Sequence, residues 1–270
     1  MAPIILDLEN LQKLPVGIQE FSTLREEKYL YVDKTRQILD LTMRGSAYFL
    51  ARPRRFGKSL LVSTLDALFS GRKELFEGLY IYDKWDWNKT YNVIRIDFSR
   101  VTTLTPEKLE LSLALRLDEI AEDNEITLTA PDPVDKFSQL IRKMYKANGK
   151  KVVVLIDEYD MAILDNLKAM KETDISIENK KILGQFYRVL KGASQYLHFI
   201  FLTGVTRFAG LSVFSGLNNL RDLTLADKFA GICGYTQEEL ESNFKSYIQV
   251  IADKKGHTYE DELREIKLWY

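Results

Sequence analysis

The stretch SAYFLARPRRFGKSLL, running from Ser46 to Leu61, decides the reading of this chain. Ser46–Ala51 is a compact apolar run of strand length, and a polar loop, Arg52–Gly57, follows it. From Lys58 onward Leu60, Leu61, Leu65, Leu68 and Phe69 recur at helical spacing, which predicts a helix from about Lys58 to Phe69. A strand, a glycine-ended loop and a helix opening on Lys-Ser form the context of a phosphate-binding loop. Backbone N–H groups wrap the phosphate, the lysine neutralises β and γ oxygens, and the serine hydroxyl ligates magnesium. The strict pattern G-x-x-x-x-G-K-[ST] asks for glycine at position 52, where this chain has Arg52. Taken alone, Gly57-Lys58-Ser59 also reads as a surface turn with a helix start.

A second element joins it. Lys151–Ile156 (KVVVLI) is the β-branched run of a strand buried on both faces, and it ends in Asp157-Glu158-Tyr159-Asp160. Packing gives no reason for such a strand to end in acids, whereas the carboxyl edge of a parallel sheet is where ligands bind. In that reading Asp157 holds magnesium through water and Glu158 polarises the attacking water. The plainer alternative has Asp157 and Asp160 capping the next helix.

A third run, Leu197–Thr203 (LHFIFLT), ends in Thr203, a candidate sensor of the γ-phosphate. Arg207 and Arg221 follow; each reads either as an arginine finger, in cis or from a neighbouring subunit, or as a salt-bridge partner on a polar loop. Arg52, Arg54 and Arg55 read as charge for the nucleotide, as a nucleic-acid patch, or as solvated surface. Asp33 and Asp97, at other strand ends, read as structural or, less readily, as touching the site.

Composition narrows the classes. Lys and Arg total 38 against 39 Asp and Glu, so no global field favours nucleic acid or an anionic membrane, although a local patch can bind either. A single cysteine, Cys233, forbids an intramolecular disulfide and suits a reducing compartment. With His198 and His257 the only histidines, a His/Cys metal cluster and an ordinary His-based triad are disfavoured. The start MAPIILDLEN lacks the basic region of a secretory signal, and the longest apolar runs are strand-sized. The expectation is a cytoplasmic protein with no membrane attachment.

Elsewhere the spacing predicts a helix over Thr35–Met43, a strand over Asn92–Phe98, and a helix opened by Thr105-Pro106 and running to about Glu122. Asp132-Pro133 opens another, stopped at Asn148-Gly149. A helix around Lys180–Ser194, a short strand over Leu223–Leu225, and a capping box at Thr236–Glu239 opening a helix to about Ile251 complete the pattern. The tail from Tyr259 is helical and charged. Strands alternating with helices call for an α/β domain with a parallel sheet. The expected division is a lead-in segment over 1–33, a core over 34–230 and a helical lid or linker over 231–270.

The runs LPVGIQEFSTLREEKYLYVDKT, RPRRFGKSLLVSTL, VVVLIDEYD and FLTGVTRFAGLSVFSGLNNLRDLT resemble the bacterial and archaeal AAA-ATPase-like family, from Leu14 to about Val250. That family typically has R-P-R-R-x-G-K-S, so Arg52 departs from the general pattern and not from the family. The resemblance implies a P-loop NTPase whose parallel sheet is of the additional-strand type, order 5-1-4-3-2, flanked by helices and followed by a helical C-terminal part. Ser46–Ala51 would be the central strand, with Leu197–Thr203, Lys151–Ile156 and Asn92–Phe98 beyond it in turn. Carried over by position, Lys58, Ser59, Asp157 and Glu158 take the roles argued above, with Thr203 and then Arg207 as weaker transfers; Arg54, Arg55, Phe56, Gly57 and Leu60 complete the expected nucleotide contacts. Ser59 and Asp157 hold the metal, and Lys58 and Glu158 are catalytic. ATP and Mg2+ are the implied cofactors. A homo-oligomer and nucleic acid stay open as partners. Members commonly continue past a Trp-Tyr pair like Trp269–Tyr270 into a PD-(D/E)XK nuclease-like domain, so 231–270 is expected to be truncated.

The leading expectation is an ATPase module driving a conformational change, for which Glu158 is the discriminating residue. The rivals are a nucleotide-gated scaffold with negligible hydrolysis and a nucleic-acid-associated ATPase. Paired acids at the strand end favour water over a kinase acceptor, and no Asn-Lys-x-Asp element supports GTP.

Overall fold

In the computed structural model, which describes residues 11–44, 47–167, 173–206, 217 and 220–269, five strands lie parallel in one sheet. They are β1 (Ala47–Ala51), β2 (Asn92–Asp97), β3 (Val152–Asp157), β4 (Leu197–Gly204) and β5 (Arg221–Asp222). Their order is β2-β3-β4-β1-β5, the expected 5-1-4-3-2 arrangement of a P-loop NTPase, with every neighbouring pair parallel.

All six residues of β3 are buried, as its unbroken apolar run requires. Strand side chains alternate between faces. Val152, Val154 and Ile156 join Phe49, Ile94 and Leu202 in one core. Val153 and Leu155 join Tyr48, Leu50, Phe199 and Phe201 in the other. The second core is closed by α1 (Phe21–Glu26), α2 (Thr35–Arg44) and α3 (Lys58–Phe69), through Phe21, Ile38, Leu65 and Phe69. The first is closed by α4 (Pro106–Asp123), α5 (Pro133–Asn148) and, beyond the short α6 (Met161–Leu164), α7 (Asp174–Gly192), through Leu113, Phe137 and Phe186. Burying each such side chain stabilises the fold by about 1.5–3 kcal/mol.

The punctuation acts as read. Thr105 accepts the Lys108 N–H, Asp132 accepts those of Val134 and Asp135, and Gly149 ends α5 at φ +73°. Three expectations shift. Residues 17–34, expected as an extended or irregular segment ending in a short aromatic strand, form no strand and contain α1, whose Phe21 and Leu24 are buried one helical turn apart; six residues are too few for periodicity to reveal. The strand expected at Leu223–Leu225 lies at Arg221–Asp222, because the Thr224 hydroxyl takes the Ala51 N–H (3.0 Å) where a backbone carbonyl would continue the ladder. The helix after Thr236 divides at Phe244 into α8 (Gln237–Asn243) and α9 (Lys245–Lys255), followed by α10 (Tyr259–Trp269). No helix among the described residues is long and apolar enough to cross a membrane.

Candidate functional site

Asp157 and Thr203 continue the Val153–Leu155 and Phe199–Phe201 rows, so they sit at the sheet's carboxyl edge on the face that carries α3. The phosphate loop leaves β1 at the same edge. Gly57, at φ +87°, caps α3, and Arg55 is also left-handed at φ +64°. These two reversals curl the loop over the helix N-terminus, a geometry that gathers N–H groups. The Lys58 side chain lies inside the curl, 4% exposed, its ammonium donating to the carbonyls of Arg52 (3.1 Å) and Pro53 (3.0 Å). Arg54, Arg55 and Phe56 are exposed, and Ser59 is half-buried on the first helical turn. Leu60 packs its side chain against the second core.

The acidic tip is built differently. Asp157 is 2% exposed; its Oδ1 accepts a short bond from the Thr203 hydroxyl and the Glu158 N–H at 3.1 Å. Thr203 is fully buried, so its hydroxyl is directed at Asp157. Tyr159 donates its N–H to the Thr203 carbonyl (2.9 Å) and its hydroxyl to the Thr206 carbonyl (3.1 Å). Asp160 does not cap α6 with its side chain. Its carboxylate accepts the N–H groups of Val205 (3.0 Å) and Thr206 (2.9 Å) and the Thr206 hydroxyl (2.8 Å), fixing the exit of β4. Gly204 permits this closure: a Cβ there would sit 2.4 Å from the Tyr159 ring and 2.8 Å from the Asp160 carboxylate.

A profile of the family described as Predicted AAA-ATPase matches residues 15–214. The chain belongs to the predicted AAA-ATPase family. It is also similar to the "Uncharacterized protein in vnfD 5'region" of Azotobacter chroococcum mcd 1, 39% identical over 260 residues. That alignment covers 96% of this chain and 48% of the relative, so the chain spans about half the relative's length.

In this AAA-ATPase-like chain Glu158 is the residue held in the left-handed region, φ +55°, between Asp157 and Tyr159. Non-glycine residues keep that conformation only where neighbours impose it. Here the surrounding bonds of Asp157, Tyr159 and Asp160 do so. Burial pushes the Glu158 carboxyl above the ordinary carboxylate range, and the Asp157 and Asp97 charges push the same way. Lys58 and Arg54 pull against them, which brings loop and tip into one electrostatic neighbourhood. Asp97 lies beside Asp157 in the strand register, accepts the Ser99 N–H (2.9 Å) and pairs at 3.8 Å with Arg100. Asp33 is spent on Thr35 and the Tyr80 N–H (2.7 Å), away from the edge.

The donors that face the loop are hydroxyl and carboxylate oxygens, a hard set suited to magnesium. Among the described residues no cationic side chain lies within salt-bridge distance of Asp157, which accepts hydrogen bonds from the Thr203 hydroxyl and the Glu158 N–H. The residues fit the ion. A cluster of His257, Glu262 and Glu265 elsewhere is already matched by Lys255, at 2.9 Å and 3.1 Å from the two carboxylates.

Arg207 lies outside the described residues, and Arg221 falls in β5. For three residues the sequence reading left the actual partners open: Asp160 read as a crevice acid or a helix cap, Asp97 as structural with a lesser chance of touching the site, and Arg52 as nucleotide charge, a nucleic-acid patch or solvated surface. The Arg52 guanidinium instead donates to the carbonyls of Ala51 (3.0 Å), Thr224 (2.8 Å) and Phe229 (3.4 Å). The Thr224 and Phe229 partners are backbone atoms far along the chain and leave no motif.

Proposed function

We propose that this chain binds ATP with Mg2+ in the loop Arg52–Ser59 and hydrolyses it, coupling nucleotide state to a conformational change. One observation carries the reading: a buried lysine and a strained, half-buried glutamate share one sheet edge with the buried Asp157, which is hydrogen-bonded to Thr203. Lys58 and the loop N–H groups bind the β and γ phosphates. Ser59 and Asp157 hold the ion, whose chemistry is to neutralise charge on the phosphate oxygens. Glu158 accepts a proton from the attacking water, which its raised affinity for protons suits. Thr203 holds Asp157 in place, and the core over 34–230 delivers the response to the helices beyond.

Support for water as the acceptor rests on Glu158, which a passive nucleotide holder does not need. The test is ATP binding and phosphate release by the full chain, with magnesium and with a chelator, beside Lys58→Ala. Magnesium-dependent release that Lys58→Ala abolishes supports the proposal. ATP bound without release reduces the protein to a nucleotide-held scaffold, and no binding removes the loop assignment.

A further inference from the structure

We propose that Arg52 is a positioning residue that ties the phosphate loop to the segment after β5, so that phosphate binding at Lys58 and the placement of residues 223–235 form one linked equilibrium. This rests on the nucleotide reading above and adds a regulated element to the same site.

The argument begins with the departure from the strict pattern. Glycine at this position would leave nothing but backbone, whereas Arg52 supplies a planar guanidinium with several donors in fixed directions. Among the described residues those donors meet no carboxylate; they meet carbonyls of Thr224 (2.8 Å) and Phe229 (3.4 Å) on the far side of β5. The main chain of the same residue faces the rest of the site. Its N–H donates to the Gly204 carbonyl at the end of β4 (3.1 Å), and its carbonyl accepts the Lys58 ammonium (3.1 Å). One residue therefore touches the sensor strand, the phosphate lysine and the post-β5 segment.

Two further contacts join the same parts. The Thr224 hydroxyl accepts the Ala51 N–H immediately before Arg52 (3.0 Å). Phe56, in the loop, lies over Gly234: a Cβ at Gly234 would stand 2.7 Å from the ring, and its φ of +72° already favours glycine. Cys233, beside it, is buried and its thiol is pushed up to about 11, while Arg52, Lys58 and Lys34 pull the other way. The segment leads straight into α8, whose Glu239 pairs with buried Lys34 at 2.5 Å. Phosphate oxygens must compete with the Arg52 and Pro53 carbonyls for the Lys58 ammonium. Any resettling of the Arg52 carbonyl is then felt at the other end of the same side chain, by Thr224 and Phe229.

The test is hydrogen–deuterium exchange over 223–235 with and without saturating Mg-ATP, together with ATP affinity, in wild type, Arg52→Gly and Arg52→Lys. In wild type, ATP is expected to change exchange in this segment severalfold. Arg52→Gly restores the strict pattern, yet is expected to bind ATP about 10-fold more weakly, the loss of a charge-assisted contact, and to lose the response at saturation. Arg52→Lys, a point charge without the fork, should recover part of both. Arg52→Gly that binds as tightly as wild type with the same response in 223–235 overturns the proposal. So does a wild type that binds ATP with no change there, and in that case the phosphate-loop reading survives; a wild type that binds no ATP removes both. Should Arg52→Gly not fold, Thr224→Val deletes only the hydroxyl on Ala51. Weakened ATP binding in that variant supports the link, and unchanged binding overturns it.

Discussion

The two halves of the site are built on opposite principles. In the acidic tip, Asp157, Tyr159 and Asp160 are buried, Glu158 is half-buried, and the tip is hydrogen-bonded to Thr203, Val205 and Thr206. The phosphate loop is exposed at Arg54, Arg55 and Phe56, and its lysine is held by carbonyls of the loop itself. Reaction chemistry needs a water-polarising carboxylate fixed in place, which rewards preorganisation. A phosphate cradle must exchange its internal contacts for those of the ligand, which rewards bonds that are neutral and replaceable. Under the proposed function, the contrast assigns catalysis to the tip and nucleotide response to the loop.

Substitutions can break that contrast. The largest effect on ATP affinity is expected from Lys58→Ala, which removes the loop's buried lysine. ATP affinity should fall about 100-fold, equivalent to ~3 kcal/mol for a contact to a charged group, as measured by equilibrium titration. An affinity within a few-fold of wild type would mean that the loop does not depend on this lysine.

Next is Gly204→Ala, which drives a Cβ against the Tyr159 ring and the Asp160 carboxylate. Overpacking of this kind costs roughly 1–3 kcal/mol, to be read from urea unfolding. The tip is expected to lose turnover while ATP affinity stays near wild type. Equal losses in both would show that loop and tip are not separable.

The smallest effect concerns pH. Glu158 must be ionised to accept a proton, and its folded affinity for protons is raised. Turnover is therefore present above that raised value and lost as pH falls through it, at a pH above the ordinary carboxylate range. Asp97→Asn removes one like charge, so the acid limb of the rate profile should move to lower pH. An unmoved limb would separate Asp97 from the tip.

Local pattern made much of this legible. The apolar stripe after Gly57 predicted α3 from Lys58 to Phe69, and the run ending at Asp157 predicted a strand buried on both faces. Those features need only neighbours in sequence. What escaped depends on partners far along the chain. Asp160 serves residues 45 and 46 positions away, and the acceptors of Arg52 at Thr224 and Phe229 lie 172 and 177 positions away. β5 shifted for the same reason: the Thr224 hydroxyl, not its place in an apolar run, decides where the ladder with β1 stops. Residue types at the site could be read, but the hydrogen bonds that divide labour between its halves could not.

The most direct test compares Glu158→Gln with wild type for ATP binding and for phosphate release in a single turnover. The account predicts unimpaired binding with release slowed by roughly 10²–10⁴-fold, the usual contribution of a positioned general base. Release at the wild-type rate would contradict it, since the strained and preorganised tip would then have no part in the chemistry.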